Sequence, residues 1–484
     1  MAVRLIVILR LIIGAYCHTS IFERRSNRYV KLPVVHSTNR DVFADIWDNK
    51  RAITTVPLAN RSDVAYYAKL DIGTPPQEVY VQLDTGSFEL WVNPDCSDLE
   101  GSADVRFCKA VGHYNPSSSS TAAKVTGTKV LRYGIGSANI QYVTDDIGLS
   151  GTDARLEGIQ FGVATGTVDE FSGILGIGHG DNVTIPYKNF VDQLADQGVT
   201  DTKAFSLALG SKDEQEGVVI FGGLDTGKFT GTLETLPIIP AKESPDQVPR
   251  YWVNMTSLGL NPPSGKKKQY TNTTLAVFLD SGATLTLLPT TLANSIAADF
   301  GAKAMDANGF FPVDCALNGL PGTVDFSFGN ITIQVPYNEF IRELQTGFGT
   351  QCFLGISPNE DFVLLGDTML RSAYAVFDQT NDAIHLAQYV NCGTKEVEIT
   401  AKTSFASIKG DCDPPNLKPM ATPSSSSSSS VPTTTVTASD GSLTASETNS
   451  ADAESMSVRL ASSCRRVGLW TGLVSAVFAI GLVV

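Results

Sequence analysis

Two short triplets constrain this chain more than anything else in it. Asp84-Thr85-Gly86 and Asp280-Ser281-Gly282 each close a run of alternating apolar residues: Val79, Val81 and Leu83 before the first, Leu275, Val277 and Leu279 before the second. Such alternation marks a half-buried strand. A carboxylate at the buried end of a strand is expensive unless it is paired or used. Each triplet also has a later apolar-apolar-Gly stretch, Ile174-Leu175-Gly176 for the first and Leu364-Leu365-Gly366 for the second. This is a weak internal repeat, the pattern of a lobe present twice with a cleft between the copies. Two carboxylates face to face in that cleft can hold one water and share one proton. That is sufficient chemistry to hydrolyse a peptide bond without metal or covalent intermediate.

A third triplet, Asp225-Thr226-Gly227, has the same letters in a different setting. It follows Phe221-Gly222-Gly223-Leu224 and precedes Lys228, without a flanking pair of strand patterns. It reads as a turn, where Asp and Gly are at home. Residues 60–392 are otherwise mostly short β patterns with Gly-rich turns; helical patterns are few, with 187–197 and 290–300 as candidates.

The 484 residues suffice for two compact lobes and tails, and 42% hydrophobic with 18% charged residues is a globular balance. A formal charge of −14 argues against a nucleic-acid partner. Residues 1–17 read as a secretory signal: Arg4, an apolar stretch broken only by Arg10, then Ala15-Tyr16-Cys17. Residues 18–51 read as a propeptide ending in the dibasic pair Lys50-Arg51, a processing site. The two lobes are expected at 52–235 and 236–412.

From 413 to 463 the composition turns to Ser, Thr, Ala and Pro, a stalk rather than a packed domain. Residues 464–484 end in an uncharged apolar tail with nothing basic after it, which reads as a GPI signal, with Asn449 and Ser455 as attachment candidates. Five N-glycosylation acceptors, Asn60, Asn182, Asn254, Asn272 and Asn330, agree with a secreted surface. Beyond Cys17 and Cys464 there are six cysteines, an even number that reads as disulfides. Nearest-neighbour pairing would join Cys96 to Cys108, Cys315 to Cys352 and Cys392 to Cys412, among the other pairings six cysteines allow.

The chain resembles the pepsin-like aspartic endopeptidases over about residues 64–390. The stretches that carry the resemblance are Ile72-Gly73-Thr74-Pro75-Pro76-Gln77, Leu83-Asp84-Thr85-Gly86-Ser87 with Leu90-Trp91-Val92, Tyr133-Gly134-Ile135-Gly136-Ser137, Gly173-Ile174-Leu175-Gly176-Ile177-Gly178, Phe278-Leu279-Asp280-Ser281-Gly282, and Leu364-Leu365-Gly366-Asp367-Thr368. With the dibasic site and GPI tail, it is most similar to fungal yapsin-type surface proteases. The resemblance implies a mainly β, bilobal acid-protease fold and a catalytic dyad of Asp84 and Asp280. It implies a flap carrying Tyr133 and Gly134, a Trp91 that holds the flap tyrosine, and hydroxyls of Thr85 and Ser281 that tie the active loops together, with Gly86 and Gly282 in the same loops.

Two departures stand out. Phe88 occupies a position where a small Ser is frequent, a change of packing. Ser87 offers a hydroxyl to Asp84, but the matching residue beside Asp280 is Ala283. Losing a donor to the ionised form raises an acid's pKa, so the activity optimum is expected to be less acidic than in a Thr-bearing relative, through the acid limb of the pH–rate profile. The segment from Cys96 to Cys108 reads as a loop. Its Asp98, Glu100 and Asp104 either favour basic substrates or are simply solvated.

Other chemistries do poorly. The five histidines have no metal-ligand spacing, no G-x-S-x-G elbow occurs, the Gly-rich run 176–180 lacks a phosphate-loop lysine, and there is no C-x-x-C pair. No cofactor or metal is expected. The expected partners are polypeptide substrates and a membrane reached through a GPI anchor, with the protein itself a monomer. The rival reading is a non-catalytic cell-wall binding or structural protein on a pepsin-like fold, since fold does not fix function. The presence together of Asp84, Asp280, Tyr133 and Ser87 weighs against it.

Overall fold

A computed structural model describes residues 28–36 and 65–414, except for 94, 98–101, 135, 169–171, 181, 215, 347–348 and 362. The signal, the dibasic pair, Asn60, the stalk beyond 414, both attachment candidates, and Asp98 and Glu100 lie outside the described residues.

The fold is mainly β and bilobal. A 13-stranded sheet runs in the order Phe229–Pro237, Ala383–Tyr389, Ala373–Asp378, Ala204–Ala208, Glu216–Phe221, Val30–His36, Tyr66–Ile72, Gln77–Asp84, Gly173–Gly176, Leu90–Val92, Arg155–Val168, Ser137–Leu149, Ala123–Arg132. Early and late strands therefore share one sheet, with Ala373–Asp378 pairing with Ala204–Ala208 and Val30–His36 with Glu216–Phe221. The later half adds a 5-stranded sheet containing Trp252–Met255, Leu275–Leu279 and Leu364–Leu365, with further sheets of 4 and 3 strands behind it.

The internal repeat has a direct structural counterpart. Gln77–Asp84 pairs in parallel with Gly173–Gly176, placing Asp84 opposite Gly176. Leu275–Leu279 pairs in parallel with Leu364–Leu365, placing Leu279 opposite Leu365. Parallel strands buried on both faces need apolar runs, which explains why each triplet has a later apolar-Gly partner. Val81, Leu83, Val277, Leu279, Leu175 and Leu365 are all sealed from water in one core.

The helix expected from 187 starts later, at Phe190–Asp196. Asn189 caps it: its side chain accepts from Asp192 N and the Asp192 side chain accepts from Asn189 N, so the preceding residues are held outside the helix. The second expected helix is Thr290–Asp299. The segment between Cys96 and Cys108 is not all loop, because Ser102–Val111 is helical. Ala110 and Val111 pack against Val35, Ala65 and Tyr67, so tertiary burial there outweighs a local sequence rich in turn formers.

The third triplet is a turn, though strands do flank it. Gly223–Asp225 precedes it, paired with Glu396–Glu398, and Phe229–Pro237 follows. Asp225 caps the 3-10 turn Thr226–Lys228, its carboxylate accepting from Gly227 N at 2.9 Å and Lys395 N at 2.6 Å. Nearest-neighbour pairing of the cysteines is what the structure contains: Cys96–Cys108, Cys315–Cys352 and Cys392–Cys412. Asn182, Asn254, Asn272 and Asn330 are all exposed.

The strand Val30–His36 lies within the stretch expected to be a propeptide, yet it sits inside the large sheet between Glu216–Phe221 and Tyr66–Ile72. Leu32 and Val34 are buried. Tyr29 Oη and Lys31 Nζ each donate to Glu396 at 2.8 Å, which ties this leader to the segment following the last long strand.

Candidate active site

Each triplet projects from the end of its strand, and the two loops interlock. Thr85 N donates to Ser281 Oγ at 3.1 Å and Ser281 N donates to Thr85 Oγ1 at 2.9 Å. Each hydroxyl then donates onward, Thr85 Oγ1 to Leu279 O at 2.8 Å and Ser281 Oγ to Leu83 O at 2.9 Å. Both side chains are buried and every partner is satisfied. A buried hydroxyl left unpaired costs about 1–3 kcal/mol, so this four-bond lattice fixes the loops relative to each other.

The lattice brings Asp84 and Asp280 together. A Cβ on Gly86 would stand 2.6 Å from Asp280 Oδ1, and one on Gly282 would stand 2.4 Å from Asp84 Oδ1. Each glycine is thus required by the carboxylate of the other loop. Asp84 accepts from Gly86 N at 2.7 Å and from Ser87 Oγ at 2.5 Å. Asp280 accepts from Gly282 N at 2.9 Å, and Ala283 has no hydroxyl to offer.

Asp280 is half-buried. Desolvation, then the charge of Asp84, push its carboxyl up to about 8, against the Gly282 N–H and the Arg250 cation, which pull it down. Behind the pair, Asp367 follows the second apolar-Gly stretch and its amide donates to Ala283 O at 2.8 Å. Burial holds its carboxyl well above the usual range, with Arg371 opposing. Arg371 is itself buried, its Nε 2.5 Å from Glu339 Oε2 and its Nη2 2.6 Å from Glu339 O.

Trp91 Nε1 donates to Tyr133 Oη at 2.7 Å. Trp91 is fully buried among Leu131, Ala138, Ile140, Ala164 and Ile174. Tyr133 N donates to Gly136 O at 2.8 Å, closing the hairpin tip. A Cβ at Gly134 would meet nothing, so packing alone does not demand glycine there.

The sequence reading missed Glu89. It is buried, paired with Lys129 Nζ at 3.1 Å and accepting from Tyr142 Oη at 2.6 Å and Tyr187 Oη at 3.0 Å. Lys129 lies on the strand Ala123–Arg132 that leads to Tyr133, so this carboxylate anchors the base of the hairpin to the residue before Leu90–Val92. A charged residue inside the apolar run Phe88 to Val92 was the available signal.

The family model described as "Eukaryotic aspartyl protease" matches residues 65–389. The chain is 37% identical over 360 residues to secreted aspartic protease 3 of Candida albicans, covering 70% of this chain and 83% of that protein. It is 32% identical over 388 residues to a probable aspartic-type endopeptidase of Aspergillus fumigatus, covering 76% and 78%. The crystal structure of an aspartic proteinase from Irpex lacteus superposes with a TM-score of 0.56 at 22% identity, covering 75% of this chain and 98% of that one.

Proposed function

Since the chain belongs to the eukaryotic aspartyl protease family and is an aspartic-type endopeptidase, we propose that Asp84 and Asp280 are its catalytic dyad, cleaving polypeptides through an activated water. The observation that carries this reading is the mutual approach of the triplets, each carboxylate lying against the glycine of the other loop. Two carboxylates so close do not both ionise readily, so the pair keeps one proton.

The donors around each group support a division of labour. Asp84 faces an amide and a hydroxyl, which suits the charged partner that takes a proton from water. Asp280, pushed up to about 8, suits the partner that holds a proton, stabilises the developing oxyanion and then supplies that proton to the departing nitrogen. The Tyr133 hairpin, held by Trp91, covers the substrate and excludes water.

We further read the protein as a secreted zymogen. Its leader, 18–51, is cut at Lys50-Arg51, downstream of the strand Val30–His36, and the mature enzyme reaches the cell surface on a GPI anchor at Asn449 or Ser455. The sequence of the termini and the secreted relative support this part of the reading. The acceptor asparagines carry glycans on the exposed surface.

Purified mature protein should cleave an unfolded protein at acidic pH, and pepstatin should block it. Asp84→Asn, with unchanged thermal unfolding, should lose at least about a thousandfold in kcat/KM. Retention of cleavage in that variant would refute the dyad; a wild type without cleavage at any acidic pH would favour a binding role on the same fold.

A further inference from the structure

Arg250 enters above only as a charge that opposes the rise of Asp280, yet it touches the Asp84 loop and the strand that leads to Asp280. It stands just ahead of the strand Trp252–Met255, in which Trp252 pairs with Phe278. Its guanidinium lies between two aromatic rings, Cζ 5.3 Å from the centroid of Phe88 and 5.4 Å from that of Phe278. Phe88 follows the Asp84 loop and Phe278 belongs to the strand that leads to Asp280. Both rings are buried, and a cation at this distance from an aromatic face is attracted to it most strongly where water is excluded.

The fork of the guanidinium is also in use. Nε donates to Asp246 Oδ2 at 2.7 Å, and Nη1 donates to the Gly86 carbonyl oxygen. Asp246 is held in turn by Trp252 Nε1 at 3.1 Å and Val248 N at 3.0 Å. Gly86 is the residue whose amide donates to Asp84 Oδ1. One side chain from the later half of the chain thus holds, by its carbonyl, the residue whose amide donates to the first carboxylate.

We infer that Arg250 is a positioning residue for the dyad: it fixes Gly86 by its carbonyl oxygen from the other half of the chain and supplies a standing positive charge that favours the ionised pair. The inference rests on the dyad reading above. It gives Phe88 a task beyond packing, since the ring forms one wall of the guanidinium slot. The charged groups around the pair are few. Asp84 and Asp280 face each other, Arg250 lies on one side, and Asp367 lies behind with Arg371 and Arg342 in electrostatic reach. Asp246 faces Arg250 and partly offsets its charge. The attraction of Arg250 opposes the burial that raises Asp280.

The test compares pH–rate profiles of kcat/KM for wild type, Arg250→Met and Arg250→Lys, with Asp84→Asn alongside. Removing the cation should move both limbs of the bell to higher pH by about half a unit or more. Lysine keeps the charge but, as a point donor, does not reproduce the fork. It should hold the limbs near wild type while kcat falls several-fold with little change in KM. A role confined to structure predicts the opposite sign for Met, because a loosened site admits water and lets Asp280 ionise more easily. Limbs that stay in place or move down in Arg250→Met overturn the electrostatic role, and a wild-type kcat in Arg250→Lys overturns the positioning role. If Arg250→Met does not fold, the Lys variant decides by its kcat and limbs together: limbs that rise in it count against the charge. An active Asp84→Asn would instead remove the dyad reading beneath the inference.

Discussion

The Asp84 loop and the Asp280 loop share a frame and differ in their donors. Both end an antiparallel-edged strand, both pair in parallel with a later apolar-Gly stretch, and both exchange a hydroxyl and an amide with the other. Yet Asp84 receives an amide and the Ser87 hydroxyl, whereas Asp280 receives an amide and has Ala283 beside it. The frame brings the carboxylates together; in the proposed dyad, the burial of Asp280 and its smaller set of donors both favour it as the partner that keeps the shared proton. Under the proposed mechanism, a symmetric frame with unequal surroundings would let two identical functional groups act as acid and base at one pH.

The largest effects should come from breaking the frame. Gly86→Ala and Gly282→Ala each drive a methyl into the opposite carboxylate, and both should lose at least about a hundredfold in kcat/KM, since about 1 Å of misplacement can cost that much. If one variant were nearly normal, the two loops would not be equivalent as a frame. Next come the cross-loop hydroxyls. Thr85→Val and Ser281→Ala should each cost about 2–4 kcal/mol in urea unfolding, because each leaves a buried amide and a buried carbonyl without its partner. Unequal losses would show that one hydroxyl dominates the lattice.

The smallest effect concerns the donors. Ala283→Thr offers Asp280 the hydroxyl it lacks. From sequence, this change is expected on the acid limb. With Asp280 as the group that holds its proton toward neutral pH, the added donor acts on the second ionisation, so the alkaline limb is the one that should move to lower pH. A few tenths of a unit to one unit is the expected size. A profile of unchanged shape would mean that hydroxyl donors do not set the asymmetry.

Much of this site was legible in the sequence because its signals are local. The alternating strands announce where each Asp sits, and the repeated apolar-Gly stretches give the parallel partners. The disulfides join neighbours in sequence, so the simplest pairing suffices. What escaped the reading depends on distant partners. Arg250 meets Gly86 across 164 positions, and no periodicity links an arginine before Trp252 to a phenylalanine after the first triplet. Glu89 looks like an exposed charge in an apolar run until Lys129, Tyr142 and Tyr187 converge on it. The helix Ser102–Val111 owes its burial to strands that precede it by tens of residues. Nothing in the sequence of the expected propeptide shows that the large sheet uses Val30–His36.

The unequal dyad is tested most directly by thermal unfolding of wild type and Asp280→Asn across pH. In the unfolded chain this carboxyl ionises near its ordinary value of 3.8, while in the fold it is raised to about 8. Between those values the unfolded state has lost a proton that the folded state retains, so stability falls as pH rises through the window. The variant lacks that proton; burial raises Asp367 in both proteins, and the charge of Asp280, which adds to that rise only in wild type, acts in the same direction. The account predicts that Asp280→Asn gains stability relative to wild type progressively from about pH 4 to about pH 8, with the difference flat below pH 4. Parallel curves across that range, or a gain confined to Asp84→Asn, would contradict it.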